Sequence, residues 1–144
     1  MSLGARNRAD PKRESIGAHV LEYEPTLLHV RWNGAHSLDE QHQIYDRIAD
    51  YVRLNRPTLL LFDLRNATSL TAEHRRASGE WWKKQQLESI ALAHYGLGTI
   101  MRMMTGLIAR AVELLSGRRA NLENFATEAE ARAWLERVRP TLRV

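Results

Sequence analysis

The sequence predicts a single α/β domain, with a mixed, mostly parallel sheet of about five strands and about four helices in the order β-β-α-β-α-β-α-β-α. Three observations carry this reading. Thr58 to Leu64 reads TLLLFDL, a continuous apolar run of strand length, as a parallel strand covered on both faces requires. Strand-length apolar runs alternate with amphipathic helical stretches, which demands parallel neighbours with helices packed on the sheet. Two capping boxes, Ser37-Leu38-Asp39-Glu40 and Thr127-Glu128-Ala129-Glu130, mark helix starts where a hydroxyl and a carboxylate satisfy free amides reciprocally.

The elements follow in order. Ala18 to Tyr23 and Thr26 to Trp32 read as strands joined across Glu24-Pro25, and the short link makes them an antiparallel hairpin. In the second, Leu28, Val30 and Trp32 alternate with Leu27, His29 and Arg31, so its two faces differ. Asn33-Gly34 breaks the pattern, and the helix opened by Ser37 places Leu38, Tyr45, Ile48 and Val52 on one side before stopping near Asn55, ahead of Pro57. The TLLLFDL strand forms the centre of the sheet. A polar segment, Arg65 to Ser69, leads to Thr71, an N-cap for a helix running to about Glu88. Ile90 to Tyr95 is another apolar strand, and Gly96-Leu97-Gly98-Thr99 turns the chain into a third helix ending at Gly117 as its C′ residue. Leu122 to Phe125 is a short last strand. The closing helix turns Ala131, Trp134, Leu135 and Val138 inward.

Length and composition agree with one globular unit. The chain has 144 residues, 44% of them hydrophobic, no cysteine and a net charge of +4. The excess is nearly all arginine, 18 against three lysines, dispersed among Asp and Glu. Without a basic face interleaved with aromatics, a nucleic-acid partner is not expected. Residues 1–15 carry a surplus of two positive charges and no apolar period, so they read as a disordered basic tail before a domain over residues 16–144. No signal-peptide core and no apolar run of transmembrane length is present, and the absence of cysteine fits a reducing compartment, so the expectation is a cytoplasmic protein.

Chemistry-bearing patterns are sparse. The six histidines make no His-x-x-x-His or Glu-x-x-His arrangement and there is no thiolate, so no metal centre is expected and most histidines read as surface or strand positions. No Gly-x-Ser-x-Gly elbow is present, and Met101 stands where a dinucleotide fingerprint needs its third glycine. No cofactor and no catalysis are therefore expected. Asp63 stands at the carboxyl end of the central strand, the edge where open α/β sheets bind ligands; with Arg65, Asn66 and Thr71 it forms a candidate polar cluster, or it orders the following turn.

The third helix is the most informative stretch. Arg102, Thr105, Gly106, Ala109, Arg110, Glu113 and Ser116 gather on one arc, while an apolar sector including Met101, Met103, Met104, Leu107 and Ile108 covers more than half the circumference. A helix lying on a sheet needs a stripe only ~100° wide or a little more, so the surplus asks for a second surface. Neighbouring helices, a homodimer partner, another protein, a lipid-like ligand or a membrane face would each supply one. Three methionines suit an adaptable contact. The adjacent Trp81 and Trp82 point ~100° apart on a helix, so both are not expected in one core pocket.

The element order, with LLLFDLRNATSLT in the middle and NFATEAEARAWL near the end, resembles the STAS domain of sulfate transporters and anti-sigma factor antagonists, most closely the SpoIIAA-like branch of small bacterial proteins. The likeness covers residues 17–138. In the anti-sigma antagonists a loop after the central strand supplies a phosphorylatable serine at a helix start. Laid onto this chain, the strand end falls on Asp63-Leu64-Arg65 and the loop's Asp-Ser falls on Thr71-Ala72, so alanine holds the serine position. Thr71 and Ser69 are the nearby hydroxyls. The resemblance thus implies a STAS-like regulatory or protein-interaction module without that phosphorylatable serine. The partner- or ligand-facing candidates are Asp63, Arg65, Asn66, Thr71, Ala72, Met101, Met104, Leu107 and Ile108. The alternative is a binder of an apolar small molecule or lipid that uses the Met-rich helix as a pocket wall.

Overall fold

The computed structural model describes residues 12–68, 71–85, 89–116 and 121–142. Among the described residues the fold is α/β, with four α-helices and a six-stranded mixed sheet whose strands lie in the order of the chain. The strands are β1 (Lys12–Ile16), β2 (His19–Tyr23), β3 (Leu28–Gly34), β4 (Thr58–Ala67), β5 (Ile90–Tyr95) and β6 (Leu122–Phe125). The helices are α1 (Leu38–Leu54), α2 (Ala72–Lys83), α3 (Thr99–Ser116) and α4 (Glu128–Val138), followed by a 3₁₀ turn over Arg139–Thr141. The pairs β1–β2 and β2–β3 are antiparallel, whereas β3–β4, β4–β5 and β5–β6 are parallel.

The sixth strand corrects the expected tail and the expected count of five. Lys12–Ile16 lies against β2 across the Gly17-Ala18 turn, with Lys12 opposite Tyr23 and Ile16 opposite His19. Its side chains are tied down individually. Arg13 Nη2 donates to Glu22 Oε2 at 2.6 Å, Tyr23 OH donates to Glu14 Oε1 at 2.9 Å, and Arg47 Nε donates to Glu14 Oε2 at 2.8 Å. Residues 1–11 lie outside the described residues. The central strand also runs further than its apolar core, because Arg65, Asn66 and Ala67 stay in the sheet, with Asn66 and Ala67 opposite Asn33 and Gly34. Asn33-Gly34 accordingly ends β3 rather than lying beyond it. Helix α2 stops at Lys83, short of the expected Glu88, and both Glu88 and the expected cap Gly117 fall outside the described residues.

Two hydrophobic layers sandwich the sheet. On one face Leu21, Leu28, Val30, Trp32, Leu60, Phe62 and Leu92 pack against Ile44, Tyr45, Ile48 and Val52 of α1. Trp81 and Trp82 of α2 join this same cluster, meeting edge to face with centroids 4.7 Å apart, so the expectation that they would not share a core is overturned. Both rings are half-buried at the margin of this cluster, and no residue of α2 is fully buried, so adjacent helical positions reach it together. On the other face Leu59, Leu61, Ala91, Ala93 and Tyr95 meet Ala131 and Leu135 of α4, with Phe125, Trp134 and Val138 around them, as the sequence predicts for the closing helix.

Both capping boxes are formed. Glu40 N–H donates to Ser37 Oγ at 3.0 Å while Ser37 N–H donates to Glu40 Oε1 at 3.0 Å, and Thr127 with Glu130 repeats the arrangement. Ser37→Ala is expected to lower stability by about 1 kcal/mol in denaturant unfolding, since it leaves a first-turn amide without its acceptor. A loss below a few tenths would show that water replaces the cap at no cost.

Candidate functional site

The strand-edge candidates are divided by the pleat of the sheet. Along β3 and β4, Leu28, Val30, Trp32, Leu60 and Phe62 point to the α1 side, so His29, Arg31, Asp63 and Arg65 point to the α4 side. Arg31, Asp63 and Tyr95 are direct neighbours in one row across three strands. Asp63 is buried, and its carboxylate receives the Arg65 backbone N–H at 3.1 Å, Arg65 Nε at 3.0 Å and Arg65 Nη2 at 2.8 Å, with Arg31 Nη1 3.6 Å away. Burial alone would raise its pKa, but the bonds from Arg65 outweigh burial and hold it below the ordinary aspartate value. Arg65 also lies over the Tyr95 ring, 5.6 Å from its centroid. Asp63 is thus turned inward and taken by the chain's own arginines, within a strand that continues to Ala67, so no turn follows it for the carboxylate to order.

Beside this row lies a cluster that sequence reading does not find. His29 is fully buried, its Nε2 2.9 Å from Tyr95 OH, and Tyr95 OH donates to Glu128 Oε1 at 3.3 Å. Because the hydroxyl spends its proton on Glu128, His29 donates from Nε2 and keeps a lone pair on Nδ1, which faces Arg132 Nη2 at 3.5 Å. Arg132 forks onto Glu24 at 2.9 and 2.7 Å and donates to Glu128 at 2.8 Å. Burial, then the nearby Arg31, pushes the His29 pKa down; burial, then Asp63 and Glu128, pushes the Tyr95 pKa up. The carboxylates Glu22, Glu24, Asp63 and Glu128 are each held by an arginine, so the cluster closes on itself as a clamp between β2, β3, β5 and α4. The only signal in the sequence is the alternation in LLHVRW, which puts His29 and Arg31 on one face without showing what covers it.

The remaining edge residues are dispersed. Asn66 is exposed at the end of β4, and Ala72 is exposed as the first residue of α2. Thr71 is the N-cap of α2. Its Oγ1 accepts from His74 N–H at 3.2 Å and sits 2.6 Å from His74 Nδ1, while His74 Nε2 donates to His36 O at 2.9 Å. Its hydroxyl is therefore occupied inside the chain. Ser69 lies outside the described residues. His74 belongs to a row of imidazoles: His19, a strand position as expected, and His36, which lies outside any strand yet is buried, have ring centroids 5.6 Å apart, and His36 and His74 are 4.6 Å apart. Gln41 links them, its Oε1 accepting from His36 Nε2 at 2.9 Å and its Nε2 donating to His74 O at 3.0 Å. Polar bonds thus tie the start of α2 to α1. Among the described residues no group of three or more His, Cys, Asp or Glu is placed to hold a metal ion.

Helix α3 lies against β6, the edge strand, and presents its small and charged side to it. Ala109 is buried, and Arg102, Gly106 and Glu113 are half-buried along a groove of about 320 Å³ between α3 and β6. The apolar side faces outward. Ile100 is 74% exposed, Met103 65%, Met104 48%, Leu107 66% and Leu114 85%. At ~100° per residue these five span an arc of about 100° without a charged residue inside it. Of the helix candidates, Met104 and Leu107 lie on this arc, Met101 is half-buried at its flank, and the side chain of Ile108 is outside the described residues. The groove lies along the arginine-bearing side of α3, next to the exposed arc, with Met103 at the border of both.

No protein-family model matches the chain, and no curated protein matches it. No helix among the described residues is long and apolar enough to cross a membrane.

Proposed function

We propose that this chain is a STAS-like regulatory module of the cytoplasm, working by association and not by catalysis, with the outward apolar face of α3 as its docking surface and a second copy of the chain as the occupant. The observation that carries this reading is the reversed placement of α3, whose large apolar side chains are exposed while its charged residues lie toward β6. Leaving several large apolar groups in water side by side is costly, and such patches mark association surfaces. A second copy suits this one. The arc carries no charge, so two copies meet without like-charge repulsion, and the flexible Met103 and Met104 repack against each other without a preformed socket. Ala72 in place of the serine, and a Thr71 hydroxyl already engaged by His74, favour constitutive association over a phosphate-controlled one.

Light scattering over a concentration series tests this. The native chain is expected to be dimeric, and Leu107→Asp monomeric with an unchanged circular-dichroism spectrum. A native chain that stays monomeric at high concentration, or a folded Leu107→Asp protein that still dimerises, overturns the reading.

A further inference from the structure

The groove that borders the apolar arc of α3 has a construction that the chain's own packing does not explain. Arg102, Gly106 and Arg110 are spaced by four residues, so they lie along one side of the helix, the two arginine Cα atoms about 12 Å apart. Both arginines line the groove, and no described residue gives either of them an ion pair. Gly106 sits midway. Glycine is the poorest helix former after proline, yet a Cβ added there would meet nothing within 4 Å, so neither a tight turn nor close approach by the chain calls for it. Its effect is to leave a recess between two cationic arms. Ala109 and Leu122 give the groove apolar lining, and Asn124 on β6 is fixed by a 3.1 Å hydrogen bond with His94 Nδ1.

We propose that the α3–β6 groove binds a small monocarboxylate with an apolar body, its carboxylate held between Arg102 and Arg110 and its carbon skeleton laid over Gly106, Ala109 and Leu122. Guanidinium groups match a carboxylate in charge and in planar, forked geometry, and the recess at Gly106 lets the ligand approach the helix backbone. Glu113 and Glu123 line the same groove and keep its charge near balance. They repel a polyphosphate or a nucleic-acid strand more than they repel a single carboxylate. The site adjoins the docking face, with Met103 at the border, but Leu107, whose change tests the docking, does not line the groove, so either can fail alone.

Octanoate is the probe, with octanol and acetate as comparators lacking the charge or the apolar body, and calorimetric titration as the readout. Octanoate is expected to bind and the two comparators to bind at least roughly tenfold more weakly. Arg102→Gln and Arg110→Gln are each expected to weaken octanoate by roughly tenfold. Gly106→Leu fills the recess and is expected to abolish binding while raising the thermal midpoint, because leucine favours the helix. Octanol binding as well as octanoate, undiminished binding to the double Arg102→Gln/Arg110→Gln protein, or full binding to a folded Gly106→Leu protein would overturn the assignment. If Gly106→Leu does not fold, the two surface arginine variants decide the question.

Discussion

Between pH 7 and pH 4 the free energy of unfolding is expected to fall by about 3 kcal/mol or more, most of it above the range in which the carboxylates titrate. The cause is the set of imidazoles that the fold keeps neutral. His94, stacked on Phe62 with centroids 5.5 Å apart, is pushed down from 6.5 to about 4 by burial, against the opposing bond with Asn124. Burial also lowers His29, with Arg31 adding to it, and lowers His36, where the bond to Gln41 opposes and the imidazoles of His74 and His19 add. The sign follows from the direction of the shifts. In the unfolded chain these groups take up protons as pH falls through about 6.5, while in the folded chain they resist, so acid stabilises the unfolded state. The stability they contribute is complete above about 6.5 and is lost as the pH falls toward about 4. Glu22, Glu24, Asp63 and Glu128, all held below their ordinary values, extend the loss to lower pH. Denaturant unfolding at a series of pH values measures the slope, and His94→Gln, which cannot take up the proton, should flatten it. A stability that stays level from pH 7 to pH 4.5 would exclude this account.

Gly96→Ala is expected to cost on the order of 3 kcal/mol and to lower the thermal midpoint by about 10 °C. Gly96 ends β5 with φ +94°, a conformation that side chains rarely tolerate. It also passes directly over the β4 extension: an added Cβ would lie 2.9 Å from Arg65 N and 3.0 Å from Arg65 Cα, and 2.3 Å from Arg65 Cγ. The Cγ can swing away, but the backbone atoms belong to a paired strand and cannot. Displacing Arg65 also loosens the three bonds that it gives Asp63. Gly98→Ala is the control, because the space beside Gly98 is open and its φ is ordinary. Equal thermal midpoints for the two variants would show that the turn relaxes and that the crossing over Arg65 is not a constraint.

The parts of this fold that were legible in the sequence are those whose cause is local. Ser37 and Thr127 announce their helices because each cap is complete within four residues, and TLLLFDL announces a central strand because all its neighbours are apolar. The strand Lys12–Ile16 was hidden for the opposite reason. Of its five residues only Ile16 is buried, and Arg13 and Glu14 are held by Glu22, Tyr23 and Arg47, which belong to other elements. The clamp around His29 was hidden by distance, since Arg132 lies 103 positions away along the chain. For α3 the periodicity separated the two faces but not their orientation, because a helical wheel cannot say which side meets the sheet; Ala109, a small residue on the charged arc, was the cue.

The sheet order has a consequence for how the chain folds. Because β1 to β6 lie side by side in the order in which they occur, each strand pairs with the one made just before it. The loops to be closed are therefore short, one hairpin or one helix long, which reduces the entropy lost before each pairing is rewarded. A chain emerging from the ribosome can complete the β1–β3 meander and dock α1 on it before the later parallel strands exist. Only the α4 face must wait, since Arg132 reaches back to Glu24 and His29 from the far end of the chain. That clamp is the last long-range closure, and the order of synthesis makes it the step that seals the second layer.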